Sequence, residues 1–201
     1  MMGKTHIFMG TAIAFALTMP DTSIGILTAA AGGALGGMMP DIDLDSLKNI
    51  KDVNTKATAG TIVAVCFAID FLFKCGIIES MKNSNPTIML IGLVLFIALY
   101  FIGAAADHRG FTHSILATVI YTAVVGLMCQ PLIIPFAIGY ASHILLDCTN
   151  KKKVRVFFPA KKGVRFKMFY ASKKANVVFY YIGIACTALL ALIAFIRMIM
   201  R

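Results

Sequence analysis

Charge is what this sequence has little of. Only 14% of its 201 residues are charged, and only nine are acids. A soluble domain carries about 25% charged residues, so a chain with a fully water-facing surface is excluded. Strict polar–apolar alternation over strand-length segments is missing too, which excludes a transmembrane β-barrel. The five cysteines, Cys66, Cys75, Cys129, Cys148 and Cys186, form no CxxC or other metal-type spacing. Most lie in apolar runs, where cysteine acts as a small hydrophobe, so neither disulfides nor a thiolate metal site are expected. Gly32-Gly33-Ala34-Leu35-Gly36-Gly37 is rich in glycine. No strand pattern precedes it and no GK[ST] follows, which excludes a phosphate-binding P-loop. RNA-binding motifs are also absent, so nucleic acid is not an expected partner.

What is present is apolar. Hydrophobic residues make up 59% of the chain and the mean hydropathy is +0.85, against about 45–50% apolar in a soluble domain. The excess falls into runs at 7–19, 23–39, 57–73, 88–106, 115–128, 132–146 and 176–200. The expected fold is all-α: a polytopic membrane helical bundle of about six or seven helices in a single domain, 1–201. The first run resembles a signal peptide, with Lys4 before a short apolar core. Apolar character resumes directly after Pro20-Asp21, so it reads as a retained helix. It is short of the ~20 residues that span a bilayer. Within the second run, small residues lie four apart at Gly32/Gly36 and Gly33/Gly37, a spacing that lets membrane helices approach closely.

Polar chemistry gathers at the edges of these runs. Residues 107–114 read Asp-His-Arg-Gly-Phe-Thr-His-Ser and hold two of the four histidines. Such groups are costly at membrane depth and belong at an interface or in a polar cavity. Imidazole with carboxylate is the ligand set of zinc and related divalent metals. His6 sits at the start of the first run. Pro40 breaks the second run ahead of Asp41, Asp43 and Asp45. Asp41 and Asp43 alternate with Ile42 and Leu44 and so can face one site, although a solvated loop with a helix cap is the other reading. His143 and Asp147 are i and i+4, which puts both on one helix face; the alternative is a simple Asp–His hydrogen bond at a helix end. Asp70 interrupts the third run, with Lys74 four residues on as its expected partner.

Charge sets the orientation. Ten of the 19 Lys and Arg fall between Lys151 and Lys174, and no acid follows Asp147. This basic segment, 149–175, interleaves cations with Phe157, Phe158, Phe166, Phe169 and Tyr170, a mixture suited to anionic lipid headgroups. Placing it in the cytoplasm by the positive-inside rule and alternating backwards puts Lys4, Lys48, Lys51, Lys56 and Arg109 inside as well. Lys74, Lys82, Arg197 and Arg201 fall outside. The charge count does not use the motifs, yet it sends His6, Asp41/Asp43, 107–113 and His143/Asp147 to one cytoplasmic face.

The combined motifs are Thr5-His6, Pro40-Asp41-Ile42-Asp43 after a glycine-rich helix, His108-Arg109-Gly110-Phe111-Thr112-His113-Ser114 and Ser142-His143 with Asp147. Together they resemble the YdjM-type bacterial and archaeal inner-membrane proteins, a family of predicted metal-dependent hydrolases. The likeness extends to about Phe157-Phe158-Pro159. It implies a distant relation to the helical zinc phospholipase C and P1-type nuclease enzymes. Those hold zinc partly through a His-x-x-x-Asp pair, matched here by His143 and Asp147, and through an early histidine that His6 resembles. They also use an N-terminal tryptophan, and this sequence has none, so one or two metal ions are expected rather than three.

The reading that follows is a membrane-bound metal-dependent hydrolase working at the cytoplasmic face of the inner membrane on a small-molecule or lipid phosphate ester. Some of His6, Asp41, Asp43, His113, His143 and Asp147 would hold the divalent metal, with zinc expected. A metal of that kind lowers the pKa of water from about 15.7 toward ~7. His108 or Asp107 would act as general base or as partner to a ligand, and Arg109 would clamp a phosphate. Two other readings use the same residues: a non-enzymatic transporter or sensor of a metal or small ion, and a regulatory partner protein.

Overall fold

The computed structural model describes residues 3–43, 50–107, 109–160, 162–166, 168 and 174–201, without the side chains of residues 43 and 50–52. The helices are α1 (Gly3–Thr18), α2 (Ser23–Met38), α3 (Ile50–Phe73), α4 (Ile77–Lys82), α5 (Pro86–Ala104), α6 (Ile115–Met128), α7 (Ile133–Cys148) and α8 (Lys174–Ile199). Short 3-10 turns, Met39–Asp43, Phe111–His113 and Gln130–Leu132, cover three of the junctions. The bundle is all-α. Among the described residues the only β pairing is an isolated antiparallel bridge between Val154 and Val164. All five cysteines are free.

Five helical segments are long and apolar enough to cross a membrane: Ser23–Ile42, Val53–Phe73, Pro86–Ala104, Gln130–Cys148 and Lys174–Ile199. α6 is a shorter apolar helix, and the 16 residues of α1 span about 24 Å at 1.5 Å per residue. The seven apolar runs of the sequence are therefore all helical, and the polar connector before Pro86 adds α4. α3 begins at Ile50, about two turns before the apolar run, because its first turns are polar but helix-compatible. The flanking helices carry exposed apolar side chains, including Phe71, Phe101 and Ile199. That pattern suits lipid rather than water.

The centre is built by close approach of α1, α2 and α7. α2 presents two glycine stripes to two neighbours. Gly33 and Gly37 face α1, where a Cβ on Gly33 would lie 2.7 Å from Thr11 Cα. Gly32 and Gly36 face α7, against Pro135, Phe136 and Tyr140. α7 answers with its own Gly139, whose Cβ would lie 2.5 Å from the Gly33 carbonyl oxygen. No larger residue fits there without pushing the helices apart, so the four-residue spacing seen in the sequence is a packing device. It brings the first turn of α1, the last turn of α2 and the last turn of α7 to one end of the bundle.

Two tyrosine hydroxyls fix α6 and the turn before it. Tyr121 donates to the Leu99 carbonyl and Tyr140 to the Thr112 carbonyl, each at 2.6 Å. α8 joins the same end, where the Thr5 hydroxyl donates to Asn176 Oδ1 at 3.1 Å. At the other end Arg197 donates to the Met19 carbonyl at 3.1 Å and Arg201 pairs with Asp21 at 2.8 Å.

Asp70 corrects one expectation. Its carboxylate accepts from the backbone N–H groups of Ile77 and Ile78 at 2.8 and 2.7 Å, capping α4, rather than pairing with Lys74. α3 stops at Phe73 and Lys74 takes a left-handed φ of 51°, so the i, i+4 geometry that would join them does not form. The polar group nearest an apolar centre is thereby satisfied as a structural cap.

Candidate metal centre

Four separate chain segments deliver their polar residues to one buried cluster. His6 comes from the first turns of α1, Asp41 from the 3-10 turn after α2, His113 from the turn before α6, and His143 with Asp147 from the end of α7. The three histidines are at most 1% exposed, Asp147 is 2% and Asp41 is 8%. The His6 and His143 rings stack with centroids 3.7 Å apart and planes 16° from parallel. His113 meets His143 edge-on at 5.2 Å. The His143–Asp147 spacing thus does what an i, i+4 pair on a helix must do: both side chains enter the same cavity, one turn apart.

The nitrogens show what the cluster is arranged for. His143 Nδ1 lies 2.7 Å from the Gly37 carbonyl oxygen. A carbonyl can only accept, so Nδ1 carries the hydrogen. In the neutral ring, Nε2 then presents its lone pair. It points at Asp41 Oδ1 across 3.5 Å, and it has no hydrogen bond among the described residues. His6 Nε2 likewise has none and lies 3.3 Å from Asp147 Oδ1. His113 Nε2 lies 3.6 Å from Asp41 Oδ1 and 3.7 Å from Asp147 Oδ2. Where such a nitrogen carries no hydrogen it faces the carboxylate acceptor to acceptor, and the two repel unless a proton or a metal cation lies between them.

The spacing fits a metal. Ligand bonds of about 2.0–2.2 Å place neighbouring corners of a tetrahedral zinc site about 3.3–3.6 Å apart, close to the 3.3–3.7 Å separations just given. Two overlapping sets gather ligand atoms within 4.8 Å of one another, His6/Asp41/His143 and His113/His143/Asp147. His143 belongs to both. With neutral rings, the two carboxylates outweigh the one nearby cation, Arg109, so the cavity is suited to a positive guest. The Gly37 carbonyl is the kind of outer partner that fixes a metal-binding histidine's tautomer. The Thr112 hydroxyl lies 3.1 Å from His113 Nδ1 and holds that ring in place with either tautomer, since a hydroxyl can donate or accept. Thr112 lies within the 107–114 motif, but nothing in the sequence assigns it or the Gly37 carbonyl to a histidine ring, because such contacts carry no pattern of their own.

Arg109 joins the cluster from one side. Its Nη2 is 2.8 Å from Asp147 Oδ2, its Nη1 donates to the Lys152 carbonyl at 3.2 Å, and its side chain is 11% exposed. Its φ of 66° puts it in the left-handed region, a conformation that bulky residues keep only where surrounding contacts hold it. The basic segment supplies some of those contacts. The Arg155 N–H donates to the Arg109 carbonyl at 3.2 Å, the Ile115 N–H to the Val156 carbonyl at 3.0 Å, and Phe158 packs edge-on against Phe111. The segment after α7 is therefore a hairpin-like cover docked beside the cluster, with Val154 fully buried, and not only an interfacial strip.

Asp107, Asp43 and His108 are the remaining candidates. Asp107 is 87% exposed and faces Arg155 at 3.9 Å, so the structure does not bring it to the cluster. The turn into Arg109 swings it outward. The side chain of Asp43 and the whole of His108 lie outside the described residues.

A family model described as YdjM inner membrane protein matches residues 1–200 of the chain. No curated protein and no solved structure matches it.

Proposed function

The chain belongs to the YdjM inner membrane protein family, and from its buried His/Asp cluster we propose that it is a membrane-embedded, metal-dependent hydrolase. One observation carries this reading. His143 Nε2, its ring fixed by Gly37, faces the Asp41 carboxylate at 3.5 Å with no hydrogen bond of its own. With a neutral ring that geometry sets a lone pair against a carboxylate, and a divalent cation between them relieves it, as a proton on Nε2 would.

His6, Asp41 and His143 would hold one ion, and His113 and Asp147, with His143, a second or a shifted position of the same ion. Zinc is the first choice for a nitrogen-and-oxygen set of this spacing. Such an ion supplies a Lewis acid and an acidified water at neutral pH. The protein's own residues do the rest. Asp41 and Asp147 set the charge of the cluster, and the His6 and His143 rings are stacked and buried beside them. Arg109, held at the rim between Asp147 and Lys152, has planar N–H donors suited to phosphate oxygens. The substrate class is therefore a phosphate ester. A lipid phosphate ester suits a site at the end of membrane helices, and the cytoplasm is the face assigned by the basic residues.

Elemental analysis of the purified protein, with a phosphoesterase screen over soluble and lipid esters, tests the reading. Stoichiometric zinc with turnover is expected. A protein that takes up no divalent metal after incubation would refute it, and metal without turnover would favour an ion transporter or sensor.

A further inference from the structure

Away from the cluster, α1 and α7 leave an apolar groove of about 310 Å³ walled by Ile13, Leu17, Ile138, Leu145, Leu146 and Thr149. Its flanks are open to the surroundings, with Leu17 69% and Leu145 64% exposed. Along α7 the wall runs from Ile138 to Thr149, about 16 Å at 1.5 Å per residue. That is close to half of a ~30 Å hydrocarbon core, the depth of one leaflet. The groove is separate from the metal centre. Leu145 and Thr149, four apart, face the groove, while His143 and Asp147, also four apart, face the cluster.

The polar end of the groove is defined as sharply as its apolar wall. Thr149 leads through Asn150 into Lys151, Lys152 and Lys153, all three exposed. The Met168 N–H donates to the Thr149 carbonyl at 2.9 Å, and the Met168 side chain is exposed. An apolar trough about one leaflet deep, whose wall ends at Thr149 two residues before three exposed lysines, matches one kind of molecule. We propose that α1, α7 and residues 151–153 bind a single anionic phospholipid, with an acyl chain in the groove and its phosphate on the lysines. The proposal concerns binding and does not depend on the metal centre, although it would hold a lipid phosphate at the end of the bundle where that centre lies.

Native mass spectrometry of the full-length protein, reconstituted with phosphatidylglycerol or with phosphatidylcholine of the same chains, tests this. Wild type is expected to retain phosphatidylglycerol about tenfold or more over phosphatidylcholine, since each lysine near a membrane surface contributes to anion attraction. Ala141→Trp, which fills the groove, should lose retention of both lipids. Replacing Lys151, Lys152 and Lys153 by Gln should bring phosphatidylglycerol down to the phosphatidylcholine level. Val94→Trp on the exposed face of α5 should change neither. As a measurement free of substitutions, phosphatidylglycerol carrying a mid-chain photoreactive group should label Ile13, Leu17 and Leu145 in the wild type. Labelling spread equally over α3 and α5, or full retention by folded Ala141→Trp, would overturn the groove assignment. Equal retention of the two lipids by wild type would overturn the headgroup assignment. Metal content should be the same in all these variants, so a protein without metal leaves the lipid result readable.

Discussion

Replacing His143 by Asn separates a ligand from a strut. The His143 ring has two jobs in the structure: Nδ1 donates to the Gly37 carbonyl at 2.7 Å, and Nε2 faces Asp41. An asparagine amide sits where Nδ1 sits, so His143→Asn can keep the bond to Gly37 while removing Nε2. If the histidine only ties α7 to α2, the variant should behave much like wild type. If Nε2 is a ligand shared by both residue sets, metal should be lost although the fold remains. His143→Ala would remove both functions. It would also leave the buried Gly37 carbonyl without its donor, at a cost of about 1–3 kcal/mol.

Linkage sets the expected size of the effect. A ligand that binds only the folded protein at 100 times its Kd adds about 2.7 kcal/mol, or about 5–11 °C in Tm for a domain of this length. Wild type should therefore lose roughly that much when a chelator is added, and His143→Asn should start at the lower Tm and not respond. The assay is thermal unfolding in detergent with and without chelator, beside elemental analysis of the same samples. A folded His143→Asn variant with stoichiometric metal, or a metal-loaded wild type whose Tm ignores the chelator, would refute the assignment of Nε2 as a ligand.

Two further outcomes follow from where side chains lie. Arg109→Ala should keep its metal, since a guanidinium cannot ligate a cation, and should lose turnover by about 10²-fold or more for want of a phosphate donor. Asp107→Ala, exposed and away from the cluster, should change neither; a loss of turnover there equal to that of Arg109→Ala would put the general base back at Asp107. Reporter fusions at residues 50, 110 and 160 should report the cytoplasm and those at 80 and 130 the opposite side. Finding 110 and 160 on different sides would contradict the docking of Arg155 on Arg109.

Membership of the bundle class was legible in the chain because hydropathy is a property of composition and run length. Each apolar run became a helix, and the ends moved by only a few residues except at α3. The i, i+4 pair at His143 and Asp147 was legible for a similar reason: helix periodicity alone puts both on one face. The glycine stripes announced close packing, but not that Gly33/Gly37 seat α1 while Gly32/Gly36 seat α7. Partner choice across the chain depends on which helices meet, and several arrangements satisfy one pattern.

Tertiary structure decided the rest. Asp41 and Asp147 became two sides of one cavity only because α1 and α7 close on the same end of α2. Residues 107 and 109 are neighbours in sequence and of similar promise as chemistry. The left-handed backbone at Arg109 accompanies one side chain turned to Asp147 and the other to solvent. Asp70 found backbone N–H groups instead of Lys74 because its helix ended first. The lysines of the basic segment could be read as a surface charge from their number. That their backbone also grips Arg109 depends on how the segment folds back across α6 and α7, and no spacing within the segment encodes contacts made 43 residues away.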